Sequence, residues 1–268
     1  MNAFTRGQTI LRGLVPGGGA AVRPPPSSNF VLDEVALAGR EHGRKVQIFD
    51  SLSAVFPRGR NVAVLADGKL AAESLVRLMT GMERPKSGRI SRNARMSWPM
   101  RFAGYLFSDC TLRENTLFLA RLYGEDTRQV ATFVRDLMEI GPEFDKKVSE
   151  VSQEIKKKLA TTIVLAIDFD CYILDGTVAV RDDAFLDRWE RVLEARLQMS
   201  DVIQITTRRR GMLGCHEMGA ILKDGKLRFY ATVAAALDQF VESGEDMSSI
   251  DEIEADAPAA DAEGDSLI

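Results

Sequence analysis

The chain has 268 residues, 45% of them hydrophobic and 28% charged, with a formal net charge of −4. That is room for one large α/β domain or two small ones, at the composition of an ordinary soluble globular protein. No apolar run approaches the ~18 residues of a membrane-spanning helix, and no apolar N-terminal segment precedes a cleavage site, so a cytoplasmic location is expected.

Residues 1–28 read as a flexible basic arm, with glycines at 17–19, prolines at 24–26 and charges from Arg6, Arg12 and Arg23. An acidic membrane surface or the chain's own C-terminal tail would attract it. The globular part is expected over 29–240. Phe30–Leu37 and Val46–Phe56 read as two strands joined by a polar turn over Gly39–Arg44. Val62–Leu65 is a short buried strand. A helix follows from near Ala72 to Gly81, a residue suited to the left-handed position after a helix end, and Pro85 blocks its continuation.

This strand, loop and helix have the frame of a phosphate loop, G-x-x-x-x-G-K-[ST]. In such a loop glycines free backbone N–H groups to form an anion nest, a lysine reaches the terminal phosphates and a hydroxyl holds magnesium. Here Ala66 and Ala71 stand at the glycine positions, Ala72 at the lysine and Glu73 at the hydroxyl. Glu73 is expected in the first helical turn, either filling the phosphate's place internally or as an ordinary first-turn glutamate. Lys69, after Asp67-Gly68, reads as a solvated turn residue or as a displaced phosphate lysine.

Further along, 88–104 is expected to form short strands and a loop. Asp126–Ile140 is a helix capped by Asp126 or Thr127, with Val130, Phe133, Val134, Leu137 and Met138 inward and Gly141-Pro142 ending it. Glu154–Leu165 is helical with Lys156–Lys158 exposed. Cys171–Leu174 is a buried strand ending in Asp175. Phe185–Leu197 is a helix with Trp189, Val192 and Leu193 inward, and Val202–Thr206 a strand. Ala220–Leu222 and Leu227–Tyr230 form a hairpin around Asp224-Gly225. Strands alternating with helices imply a mostly parallel sheet flanked by helices, with an antiparallel β subdomain and a helical insertion at about 105–160.

Cys110, Cys171 and Cys215 are odd in number and unclustered, which fits reduced thiols better than disulfides or a metal site. His42 and His216 are too few for a histidine-based zinc centre. Ten of the 39 acids and none of the 35 bases lie in 241–268, leaving residues 1–240 with a surplus of six bases. The tail is expected to be disordered and solvating, or to contact a basic face. Lys156–Lys158 and Arg208–Arg210 are basic runs, but no nucleic-acid motif accompanies them.

The order of segments resembles the ATP-binding subunits of ABC transporters, and among them those of capsular polysaccharide exporters. His42-Gly43-Arg44, GMERPKSGRI (81–90), SWPMRFAG (97–104), TLRENTLFLARLYG (111–124), LAIDFDCYILD (165–175) and ILKDGKLRFY (221–230) carry the resemblance, which spans roughly 30–240. It implies a P-loop NTPase-like ABC nucleotide-binding domain. It also implies a phosphate loop, Walker B aspartate and switch histidine acting with the signature motif of a second subunit.

Carried onto this chain, that resemblance puts Ala38 at the adenine-stacking aromatic and Phe107 at the Q-loop glutamine. Ser152, Gln153 and Glu154 fall at the signature. By the same resemblance Asp175 stands at the Walker B aspartate and is a magnesium candidate, Gly176 stands at the catalytic glutamate, and Thr207 stands at the switch histidine. Asp182 keeps the D-loop aspartate. A lost general base removes ~10²–10⁴ in rate, so no catalytic residue and no bound cofactor are expected.

The reading is a non-catalytic ABC-like subunit of polysaccharide export at the inner face of the cell membrane. Its expected partners are a membrane permease, an intact ABC ATPase or a second copy of itself. The alternatives are an unconventional ATPase that binds Mg-ATP through Lys69 or a partner residue, and a soluble adaptor that reuses the fold.

Overall fold

A computed structural model describes residues 27–100, 104–178, 180–208 and 212–242. The expected basic arm and acidic tail fall almost entirely outside these residues, as do Arg209 and Arg210.

Two sheets organise the chain. The first is antiparallel, in the order β2-β1-β4, from β1 (Ser28–Glu41), β2 (Arg44–Pro57) and β4 (Ser87–Arg92). β1 and β2 form one long hairpin, longer than the expected strands because its turn is only His42-Gly43. Both turn residues have positive φ, 48° and 79°, the geometry of a type I′ turn whose twist matches the strands. β4 crosses β1 where Gly88, at φ 87°, lies against the bulged Glu34; a Cβ on Gly88 would sit 2.3 Å from the Glu34 carbonyl oxygen.

The second sheet has the order β5-β6-β3-β7-β8, from β3 (Val62–Ala66), β5 (Cys171–Asp175), β6 (Asp201–Thr206), β7 (Met218–Lys223) and β8 (Lys226–Tyr230). The first four are parallel; β8 returns antiparallel to β7. β3 is buried at all five positions, as a central strand covered on both faces must be.

Six helices complete the described fold: α1 (Lys69–Thr80), α2 (Leu112–Tyr123), α3 (Thr127–Met138), α4 (Gln153–Ala166), α5 (Asp183–Arg196) and α6 (Val233–Glu242). Thr111 and Glu114 close a capping box at the start of α2, and Asp126 caps α3 through the Gln129 N–H. α3 ends at Glu139, in the left-handed conformation at φ 51°, two residues before the expected Gly141. Two 3₁₀ turns, Pro142–Asp145 and Val148–Glu150, lead into α4.

The sequence reading did not anticipate α6. Its signal was present: Thr232, whose hydroxyl accepts the Ala235 N–H, precedes the run VAAAL. α6 lies so close to β7 that a Cβ on Gly219 would come 2.5 Å from the Ala236 Cβ.

One core joins the hairpin, α1 and the sheet through Phe30, Phe49, Phe56, Val62, Leu75 and Ile203. The other joins the helical insertion to α5 and the second sheet around Trp189, Phe185, Tyr172 and Leu159. Cys110, Cys171 and Cys215 are free thiols; Cys171 is buried and the other two half-buried. Among the described residues no helix is long and apolar enough to cross a membrane.

Candidate functional site

The carboxyl ends of β3, β5 and β6 lie side by side, because β6 sits between the other two. Leu65 is level with Thr206, and Asp175 with Ile205. The phosphate-loop positions, Asp175, Gly176 and Thr207 therefore meet at one edge, where open α/β sheets place their ligands.

The connection at that edge differs from the expectation. β3 runs to Ala66 and α1 begins at Lys69, so Asp67-Gly68 alone joins them. The helix was expected from near Ala72. It starts three residues earlier, with Gly68 extended at its N-terminal boundary and the Gly68 carbonyl accepting the Ala72 N–H at 3.1 Å. The amides of Lys69, Leu70 and Ala71 remain open, as the first amides of any helix do. The physical cause is composition. Alanine is the strongest helix former and glycine among the weakest, so Ala71 and Ala72 extend a helix that a glycine at 71 would delay.

Ala66 and Ala72 are 0% and 5% exposed and pack with Val62, Val64 and Leu75. Position 72 therefore faces the core in this arrangement. Asp67 is fixed at both ends: its N–H donates to the Leu222 carbonyl at 3.0 Å, and its carboxylate accepts the Asp224 N–H at 3.0 Å. Leu70 leans toward Gly39, 3.8 Å from where a Cβ on that glycine would be. Ala38 is half-buried in β1 opposite Gln47.

Glu73 is not in the first turn. With the helix starting at Lys69, it lies in the second turn, and its carboxylate is 4.0 Å from the Lys69 Nζ at i,i+4 spacing. The earlier helix start thus overturns the expectation that Glu73 sits at the helix end in the place of a phosphate. It pairs Lys69 with Glu73 as well, although the Lys69 side chain remains 72% exposed.

At the neighbouring strand end, Gly176 has φ 70°, a region that costs an L-residue roughly 1–2 kcal/mol. Its N–H donates to the Ile205 carbonyl at 2.7 Å and its carbonyl accepts from the Gln204 side chain at 2.8 Å. Gln204, fully buried, also accepts the Leu213 N–H at 3.0 Å. Gln204 was missed in the sequence, where its signal is a lone amide inside the strand VIQIT. Thr207 is half-buried, beside a Thr206 hydroxyl 3.0 Å from the Arg208 nitrogen.

The signature positions lie on the start of α4. Ser152 caps the helix, accepting the Ile155 N–H at 3.3 Å, and Gln153 is exposed. The Glu154 carboxylate accepts the Arg181 N–H at 2.6 Å. One turn on, Lys158 binds Asp182, which also caps α5 through the Phe185 N–H at 2.9 Å. These contacts hold the Asp182 carboxyl below the ordinary carboxylate range, Lys158 contributing most. Lys158, expected to be exposed, is therefore largely covered, with 16% of its side chain accessible. Glu154 and Lys158 both bind the 181–182 segment of their own chain.

Phe107 is tied at its backbone: its N–H donates to the Asn115 side chain at 2.8 Å and its carbonyl accepts from the same amide group at 3.0 Å. Its ring is 52% exposed and stands edge-on to Phe118, with centroids 5.3 Å apart. Leu122, one turn beyond Phe118, is 64% exposed. Together they form an apolar surface on the helical insertion.

This architecture is that of an ABC ATP-binding cassette. A dimeric post-hydrolysis structure of the cassette MJ0796 bound to ADP and Pi superposes with a TM-score of 0.63 at 14% identity, over 76% of this chain and 98% of that one. A second dimeric structure of the same bacterial cassette gives 0.61 at 12% identity, with the same coverage.

The chain is homologous to the ATP-binding proteins of capsule polysaccharide export. It is 29% identical over 196 residues to the polysialic acid transport ATP-binding protein KpsT of Escherichia coli, covering 72% of this chain and 90% of that protein. It is 26% identical over 196 residues to the ATP-binding protein BexA of Haemophilus influenzae, covering 73% and 90%. The capsule polysaccharide export ATP-binding protein CtrD of Neisseria meningitidis serogroup B is 26% identical over 193 residues, covering 72% and 89%. No family model matches the chain.

Proposed function

We propose that this chain is a non-catalytic ABC-type subunit of polysaccharide export, acting as a regulatory or structural partner of a membrane permease or of an active ATPase. The observation that carries the reading is the early start of α1. A two-residue connector and a helix from Lys69 occupy the segment where a phosphate nest would form, and Ala72 faces the core.

Three further features support it. Gly176 offers no carboxylate for a general base, and its φ of 70° disfavours one. Thr207 has no imidazole. Glu154 is held by its own chain at the Arg181 N–H. The apolar surface of Phe107, Phe118 and Leu122 supports docking on a partner, since burying each such side chain is worth roughly 1.5–3 kcal/mol.

Two measurements test the reading. Calorimetric titration of the chain with Mg-ATP should give no heat of binding up to millimolar nucleotide. Micromolar binding that Lys69→Ala abolishes would return it to the unconventional ATPase. Affinity purification from membranes holding the permease and an intact ATPase should retain one or both. Recovery as an isolated monomer from such membranes sinks the docking role.

A further inference from the structure

On the helical insertion, away from the strand edge, α2, α3 and the Pro142–Asp145 turn enclose a groove of about 260 Å³. Its apolar lining is Leu117, Ala131 and Phe144, and its polar lining includes Arg113, Arg128 and Arg135. Arg113 is already committed. Its guanidinium binds Asp145 at 2.5 and 3.0 Å and lies 4.9 Å from the Phe144 ring centre.

The α3 pair is different. Arg128 and Arg135 are both exposed and seven residues apart, so they lie on one face ~10.5 Å apart along the axis. Among the described residues Arg135 forms one ion pair, with Asp136 at 3.5 Å. Among the described residues Arg128 forms no ion pair. Two guanidinium groups with little carboxylate to answer them, above an apolar floor, suit an extended acidic peptide with small apolar residues between its acids.

The chain carries such a segment. Residues 251–265 hold Asp251, Glu252, Glu254, Asp256, Asp261, Glu263 and Asp265, with Ile253 and several alanines between them and no base. Within it Asp251 and Glu254 are three residues apart, ~10 Å in an extended peptide, which matches the arginine spacing. The segment begins nine residues past the end of α6, so it reaches ~30 Å at its start and ~76 Å at its end. A folded unit of this size has a radius of gyration of only ~17 Å. Tethering also places the acids near the groove at an effective concentration in the millimolar range. A lipid surface offers negative charge as well, but it is flat, and the paired arginines flank a concavity.

We infer that the acidic C-terminal segment 251–265 docks in the arginine groove between α2 and α3 of its own chain. The contact would cover α2 next to the apolar surface of Phe118, where the proposed partner is expected to dock, so the tail is placed to compete with that partner.

Carbodiimide cross-linking of the full chain tests this, using the double substitution Arg128→Lys, Arg135→Lys. It keeps both charges at exposed positions and supplies amines. Mass spectrometry of the monomeric fraction should find positions 128 and 135 joined to acids of 251–265 as the dominant tail links. Their yield should fall severalfold at 1 M salt, where the screening length is ~3 Å. Tail links spread evenly over Lys146, Lys156, Lys223 and other lysines overturn the proposal, as do links confined to cross-linked dimers. The proposal stands independently of nucleotide binding, so heat with Mg-ATP would overturn the functional reading and leave this one intact.

Discussion

Ala72→Lys is the substitution that asks whether one missing lysine, or the course of the backbone, separates this chain from a phosphate-binding loop. Ala72 is 5% exposed and packed against Val62, Val64 and Leu75. Three extra methylenes and an ammonium must either enter that core or bend out past the first turn of α1. Overpacking costs about 1–3 kcal/mol, and a lysine stem can relieve part of the charge burial by reaching for solvent.

A net loss of about 2–3 kcal/mol is expected. For a domain of this size that is a fall of about 4–12 °C in Tm. Mg-ATP binding should not appear. The phosphate lysine and the metal hydroxyl together represent about 3–6 kcal/mol of charge-assisted bonding, or a factor of ~10²–10⁴ in Kd, and a lysine that starts in the core recovers little of it. Adding Ala66→Gly, Ala71→Gly and Glu73→Ser should delay the helix start, release the lysine and restore part of the Tm, with Mg-ATP binding then appearing. Thermal denaturation and calorimetry on both variants decide. If Ala72→Lys alone binds Mg-ATP with an unchanged Tm, the argument that helix 69–80 closes the site is refuted.

Two further perturbations test the packing around the site. Asp182→Asn should lower the urea midpoint at neutral pH and make less difference as the pH falls. The Asp182 carboxyl is held below its ordinary value, so its stabilisation is complete above the unfolded pKa and is lost as pH falls through the lower, folded one. A difference from wild type that grows in acid would contradict the Lys158 clamp. Trp189→Ala should cost about 3–5 kcal/mol, because Trp189 is 0% exposed at the centre of the helical core and its indole N–H donates to the Thr161 carbonyl at 3.3 Å. A denaturation midpoint within error of wild type would show that α4 and α5 do not share that core.

Much of the frame was legible from local signals. The alternation of β1 and β2, the buried VAVLA run, the Asp126 cap and the Asp-Gly hairpin each act over a few residues, so they survive in one dimension. Residue identities at the strand edge were legible in the same way: no lysine at 72, no carboxylate at 176, no imidazole at 207. What those residues touch was not. Glu73 falls in the first turn of a helix that starts near Ala72, and in the second turn of one that the alanines extend to Lys69. Lys158 reads as solvated in one dimension because its partner, Asp182, is 24 residues away at the cap of another helix.

The sequence by itself determined the class of fold and the identities Ala66, Ala71, Ala72 and Glu73 after the first buried strand, because strand and helix periodicity and residue chemistry are local properties. The tertiary structure decided which way Ala72 faces and what holds Glu154. It also decided that Arg128 and Arg135 share a groove with Phe144. Each of these depends on which segments pack against one another, and a residue's reach in space is not recorded in its place along the chain.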